Sequence, residues 1–524
     1  MEKSVVKNSI NHWTSIPALA KRWVLSKTGA LVLLIVITAP LLLPNLASDP
    51  APWFDEGYKA NLVRTLAERG IYATYSVDGY NYFDPAVTNG PVDTFLMALV
   101  MKLCGTGFIQ GRLVTVLFTW STLVSLYAIA VFIYGRKAAL FSVLFLVAVP
   151  PIANVSLIIL GRQILSEVPA LAMISGGLAL WFYSWENKGA PTPEIFAGIL
   201  IGLGLLTKTQ NAFALIPAMA IIAVLLVWQK RLSLVKACLP ILAMALTMMV
   251  WKLIGYAGTP ESLRQVNADF IAQAIPALLV TDLFGRALDR NGIFIFTTMV
   301  LVGIGVAVQW LRQPKSLRQQ GLPRVAEALI ALIVIFHALW YGLLSVGWVR
   351  YAFFGWIFAL VLLGGIIWGV VFQIRQWMRR TSPAYERYIL PMLCTGLVMV
   401  SVIANGQFLF GSGTDNSAQE MGDYIRTNIS ADAVIETMDW QIDVLSGHWQ
   451  FHHPDESYEF DADWRRFHNE FVPLHAYDML QANPDYFLNG PFSGWIAIYH
   501  PLAIDRNFFE IARIGKYTLY QRKR

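Results

Sequence analysis

Leu31-Val-Leu-Leu-Ile-Val-Ile-Thr-Ala-Pro-Leu-Leu-Leu-Pro-Asn-Leu46 carries no charge, and soon after it comes Trp53-Phe54-Asp55-Glu56-Gly57, with two adjacent carboxylates. An uncharged run of this kind is a candidate membrane span. Further apolar runs fall at about 110–133, 138–158, 167–185, 194–209, 212–228, 233–256, 292–311, 325–345, 351–374 and 388–410, giving about eleven spans in all. The composition agrees. Of the 524 residues, 56% are hydrophobic and only 14% charged, with a mean hydropathy of +0.51. A soluble domain carries about a quarter charged residues, so much of this surface faces hydrocarbon.

The net charge of +6 is a topology signal and excludes nothing but a nucleic-acid role, because the basic residues sit in short segments between apolar runs. Residues 1–27 are basic (Lys3, Lys7, Lys21, Arg22, Lys27) and read as a cytoplasmic segment; as the basic region of a cleaved signal peptide they would be unusually long. Arg136–Lys137, Lys188, Lys230–Arg231–Lys236, Arg312–Lys315–Arg318–Arg324 and Arg375–Arg379–Arg380–Arg387 then all fall on the side of the amino terminus. An odd span count leaves the carboxyl terminus outside the plasma (inner) membrane. Cys104, Cys238 and Cys394 lie far apart in or beside apolar stretches and serve as filler.

Three regions follow from this: a membrane domain over 28–410, a large first outer loop at 47–91 within it, and a soluble α/β domain over 411–524. In the loop, Leu62, Val63 and Leu66 among charged neighbours predict an amphipathic helix from Tyr58 to Arg69, ended by Gly70 and lying flat at the interface. Pro91 to Leu103 is short for a crossing, and is re-entrant or part of the next span. In the tail, Asp415 to Asn428 reads as a helix, Ala433 to Thr437 and Tyr486 to Leu488 as strands, and Phe508 to Ile514 with Lys516 to Gln521 as a hairpin. His448, His452 and His453 have spacing that could bind zinc, but without a helical pattern around them they read as a solvated loop.

Asp55 and Glu56 would be held at membrane level facing outward. A transferase using a membrane-embedded donor needs a base at that height to take a proton from an acceptor hydroxyl. Capping the helix near Tyr58 is the alternative role for Asp55. Arg162 and Glu167, Lys208, and Arg350 with Tyr351 occupy three other outer turns. Singly such groups anchor span ends; converging, the cations could hold a phosphate leaving group.

The ordered set formed by residues 53–57, Asn81-Tyr82-Phe-Asp84-Pro85, Thr88-Asn-Gly-Pro91, Arg162 to Pro169, Thr207-Lys208 and Arg350-Tyr351 resembles the GT-C superfamily. The likeness is to the protein O-mannosyltransferase branch that includes the lipid A aminoarabinose transferases. It implies a polytopic all-α membrane bundle with a small outer α/β domain, and an inverting transfer of a sugar from a polyprenyl-monophosphate donor to a glycan, lipid or protein acceptor at the outer face. By the same resemblance Asp55, Glu56 and Glu167 are the catalytic carboxylates, with Asp55 the base. Lys208, Arg162, Arg350, Tyr351, Tyr82 and Asp84 are the substrate contacts. The resemblance leaves the cofactor open: some relatives hold a divalent metal ion at loop carboxylates, and Asp55, Asp84 and Glu167 are the residues here that could do so. Where relatives often carry Lys or His beside the loop proline, this chain has Asp84-Pro85. A lipid or glycan transporter is the competing reading; against it, the spans show no paired halves, and the charges gather at one face.

Overall fold

A computed structural model describes residues 27–523, apart from 88–89, 153–154, 187–188, 279–289, 313–320, 382, 411–414, 456, 468–469 and 474–476. The expected features at residues 1–26, Thr88-Asn89, Lys188, Lys315, Arg318 and the boundary at Gly411 lie outside the described residues.

Helices dominate. The first, α1 (Lys27–Leu42), is followed by α2 (Phe54–Arg69), a hairpin of β1 (Ala73–Ser76) and β2 (Gly79–Tyr82), and α3 (Pro91–Cys104). Then come α4 (Phe108–Tyr134), α5 (Arg136–Ala148), the single turn α6 (Leu157–Leu160), α7 (Glu167–Glu186), α8 (Thr192–Thr207), α9 (Ala212–Trp228) and α10 (Leu234–Gly258). After α11 (Glu261–Leu278) the bundle ends with α12 (Arg290–Leu311), α13 (Leu322–Leu343), α14 (Phe353–Thr381) and α15 (Pro383–Phe410). By length and composition, seven helices among the described residues can cross a membrane, and three shorter apolar segments, Thr28–Leu42, Thr192–Thr207 and Met392–Gln407, accompany them. The chain is a multi-pass membrane protein. Only 17% of the apolar window of α10 is buried, so most of its apolar surface faces lipid. Its inner side meets Gly198 and Gly202 of α8, where an added Cβ would stand 2.3 and 2.8 Å from the carbonyls of Pro240 and Met244. Small residues thus let two helices approach closely where no hydrophobic drive separates helix from lipid.

Three expectations need correction. The span at 138–158 is not one helix: α5 stops at Ala148, and Pro150-Pro151 follow, which cannot continue the hydrogen-bond ladder. Pro91–Cys104 forms a helix of its own and is not joined to α4, because Gly105 interrupts the chain. The helix expected from Tyr58 starts four residues earlier, at Phe54, and is buried between bundle and tail. Its polar groups Glu56, Lys59, Asn61 and Arg64 are all buried, each with a charged or polar partner. Gly70 does end it, in the left-handed conformation at φ 72°.

The tail contains α16 (Ser417–Asn428), β3 (Ile435–Glu436), α17 (Gln441–Ser446), β4 (Phe451–His452), α18 (Ser457–Phe467), β5 (Tyr486–Asn489), α19 (Pro491–Ile496), α20 (Pro501–Asn507), β6 (Phe508–Ile514) and β7 (Tyr517–Arg522). Its sheet has the order β4-β3-β5-β7-β6, with β4 and β5 parallel to β3 and the rest antiparallel. The helix α2 lies between this tail and α3. Ala60, Val63 and Ala67 share one core with Met97 and Met101 on the bundle side and with Met421, Ile425 and Leu445 on the tail side. At Gly57 a Cβ would come within 2.0 Å of the Gln441 amide nitrogen, so glycine is what allows the tail backbone to rest on α2. Arg64 fixes the contact by donating to the carbonyls of Asp443, Gly447 and His448.

Candidate active site

Asp55 sits in the first turn of α2, with Trp53 as the residue that precedes the helix. It is therefore inside the helix and not the cap of a later one, and its charge is favoured by the helix dipole. Its carboxylate pairs with Arg350, which comes from the turn Val349–Ala352 leading into α14. Both side chains keep about a fifth of their surface open, 19% and 21%. The guanidinium lies over Trp53 (5.2 Å), Trp348 (5.7 Å) and Tyr351 (5.6 Å).

Tyr351 joins this pair to a second one. The Lys208 ammonium stands 5.3 Å from the Tyr351 ring and 2.9 Å from Glu167. Asp55, Arg350, Tyr351, Lys208 and Glu167 thus form one run of charged and aromatic groups drawn from four separate parts of the chain. The backbone below is held by His337 of α13, whose Nε2 lies 2.9 Å from the Tyr351 carbonyl oxygen, and by Tyr341, which donates to the Gly347 carbonyl (3.2 Å). Gly90 explains the Gly-Pro pair before α3: a Cβ there would meet Thr207 Oγ1 at 2.1 Å, against the turn that presents Lys208. Beside Glu167, the Ser166 hydroxyl accepts from Lys59 (3.0 Å), and Lys59 also pairs with the fully buried Asp93.

The other expected residues are elsewhere. Glu56 is fully buried and gives both oxygens to Arg112, while its Oε1 also accepts from the Ile164 amide (2.7 Å). A carboxylate sealed in this way holds α2 to α4. Arg162 is equally enclosed. It donates to the carbonyls of Leu41 (2.8 Å), Pro44 (2.7 Å) and Asp49 (2.7 Å), closing the end of α1, so it does not join Lys208 and Arg350. Asp84 accepts from Tyr58 (2.8 Å), Thr74 (2.6 Å) and the Ala86 amide (2.9 Å), and burial pushes its carboxyl upward against the pull of these donors. Tyr82 is occupied by its ring contact with Tyr80 (5.8 Å) and by the Asn267 amide at its carbonyl (3.4 Å). Among the described residues no group of three or more His, Cys, Asp or Glu side chains is arranged to hold a metal ion. Asp55, Asp84 and Glu167 have separate partners. The tail histidines are not a solvated loop: His448, His452 and His453 are all buried, and His453 bonds Asp443 at 2.9 Å.

The missed residues were charges next to apolar runs. Arg112 and Asp93 lay near the starts of apolar stretches and Lys59 in the loop, and an isolated ionisable group in such a place signals a partner elsewhere in the chain.

A cleft of about 350 Å³ opens beside the Asp55–Arg350 pair, between bundle and tail. Trp53, Phe54 and Trp348 line it together with Phe492, Trp495 and Tyr517 of the tail, and Phe54 stacks on Phe492 at 3.6 Å. Residues 88–254 match the family of dolichyl-phosphate-mannose-protein mannosyltransferases. The whole structure superposes on ArnT from Cupriavidus metallidurans bound to undecaprenyl phosphate, with a TM-score of 0.62 and 15% identity, over 94% of this chain and 98% of that one. The fold is that of the GT-C glycosyltransferases. The GT-C architecture is also shared with the archaeal oligosaccharyltransferase AglB from Archaeoglobus fulgidus, solved with an inhibitory peptide and a dolichol-phosphate (TM-score 0.54, 14% identity, 95% of this chain, 74% of that one). No curated protein sequence gives a significant match.

Proposed function

We propose that this GT-C chain is an inverting glycosyltransferase that moves a sugar from a polyprenyl-monophosphate donor to a hydroxyl acceptor at the outer face of the membrane. The observation that carries the reading is the adjacency of the Asp55–Arg350 and Lys208–Glu167 pairs through Tyr351. It puts a carboxylate with about a fifth of its surface open next to two cations at the junction of bundle and tail. The lipid phosphates bound to ArnT and AglB support a donor of this class.

In the proposed step Asp55 takes the proton of the acceptor hydroxyl, whose oxygen attacks the anomeric carbon. The bond from that carbon to the phosphate oxygen breaks, and the electron pair leaves with the phosphate. Lys208 and Arg350 stabilise the charge that grows there. Arg350 pairs with Asp55 until an arriving phosphate competes for the guanidinium. The aromatic cleft admits the acceptor from between bundle and tail. An amino terminus inside and a tail outside fit the positions of the basic loops.

The purified full chain, given polyprenyl-phosphate sugars and an envelope lipid and glycan extract, should release polyprenyl monophosphate. Release that persists in Asp55→Asn at the wild-type rate would remove the proposed base.

A further inference from the structure

A second cavity, of about 340 Å³, lies between the β1–β2 hairpin and the tail sheet, and the transfer chemistry above makes no use of it. We infer that it is a binding site for an uncharged saccharide. The Trp440 segment divides it from the cleft at Asp55: Trp440 lines the hairpin cavity, while its neighbours Asp439 and Gln441 line the other.

The walls are fixed before any ligand arrives. His452 of β4 stands 3.2 Å from Asp78 at the hairpin tip and 2.5 Å from the fully buried Glu436, so one imidazole joins hairpin to sheet. Glu436 also accepts from Tyr477 (2.7 Å) and Tyr499 (3.0 Å). Behind the cavity Trp440 stacks on His453 at 3.6 Å and packs against Tyr58 at 4.4 Å. A site held in this way loses little freedom when a ligand enters.

The lining chemistry selects the ligand. Tyr75, Tyr458 and Tyr477 supply ring surface for the apolar C–H faces of a pyranose. Asn81 and Gln481 supply amides, which both donate and accept, as sugar hydroxyls require. Asp78, Asp84 and Asp455 also line the cavity, no Lys or Arg is among its described lining residues, and the imidazoles of His452 and His453 are committed to Asp78, Glu436 and Asp443. A phosphate or uronate is therefore repelled, in contrast to the cations gathered near Asp55. The volume falls within the range of small-ligand pockets, at about 300–1,000 Å³, and suits one or two sugar rings.

The test is ligand-observed saturation-transfer NMR on the detergent-solubilised full chain. The probes are maltotriose, cellotriose, chitotriose and mannotriose, with trigalacturonate as the anionic control. At least one neutral trisaccharide should bind and trigalacturonate should not. Gln481→Ala alters an exposed side chain and should weaken binding roughly fivefold, the scale of one lost hydrogen bond; Tyr458→Ala should do the same through lost ring contact. Asp55→Asn should leave binding unchanged, which keeps the result separate from the transfer reaction. No binding by any of the four neutral sugars overturns the site. So does binding that survives both cavity variants, or equal binding of the uronate.

Discussion

Arg350 and Asp55 lie 295 residues apart in sequence, yet form an ion pair with about a fifth of each side chain exposed. The carboxylate comes from the first turn of α2 and the guanidinium from the turn into α14. Nothing but the folded bundle brings them together.

Asp55→Asn keeps the size and hydrogen-bonding edge of the side chain but removes the base. Turnover of the purified variant should fall about 10²–10⁴-fold, with donor binding retained. Steady-state release of polyprenyl phosphate and a separate donor-binding assay check the two halves of this expectation.

Replacing Lys208 or Arg350 by Ala removes a charge-assisted hydrogen bond to the donor phosphate, worth about 1.5–3 kcal/mol. The loss should appear in donor affinity or turnover, while acceptor binding stays near normal. Arg162→Ala should behave differently. Its loss leaves the carbonyls of Leu41, Pro44 and Asp49 without their donor, so thermal stability should drop while the donor affinity of the folded fraction is preserved. An Arg162→Ala protein of normal stability and weak donor binding would return this residue to the phosphate site.

Glu56→Ala leaves Arg112 buried without its carboxylate, a change that costs about 3–5 kcal/mol. Thermal unfolding in detergent should show the loss. Pairing Glu56→Gln with Arg112→Met removes both charges and should regain much of the stability and, with it, turnover. A stable but inactive double variant would mean that Glu56 takes part in the chemistry.

The clamp at His452 should make tail docking depend on pH. Burial alone would lower the imidazole, but hydrogen bonds and charge from Asp78 and Glu436 outweigh it and raise the group from 6.5 to about 10. A base raised on folding stabilises fully below its unfolded value, so the contribution is whole below pH 6.5, declines above it and is gone beyond about pH 10. Protease cleavage between hairpin and tail should rise across that window in the wild type, and His452→Phe should flatten the profile.

Much of the fold was legible because hydrocarbon imposes a simple rule. Apolar runs such as 212–228 and 325–345 have to be helices, and Ala212–Trp228 and Leu322–Leu343 are. The helix Glu261–Leu278 escaped notice because it is polar; its packing shows in the contact of Phe270 with Phe460 of α18, at 5.3 Å, and in the Asn267 amide at the Tyr82 carbonyl. At the candidate site, residue type and order suggested Asp55, Lys208, Arg350, Tyr351 and Glu167, and the fold brings these five together. The same reasoning was blind to Glu56 and Arg162. Adjacent carboxylates look alike in sequence, and only the partner decides: Arg112 seals Glu56 inside, while Arg350 leaves Asp55 open to solvent.

The 2.0 Å clearance at Gly57 reaches beyond packing. The residue two places after Asp55 has no room for a side chain because the tail occupies the space, so the helix bearing the carboxylate and the last hundred residues are fitted to each other. A chimera that exchanges tails between distant members of this fold should fail unless the segment around Phe54–Arg69 travels with its own tail. Divergence in acceptor choice would then proceed by coordinated change on both sides of that contact, not by swapping an independent module.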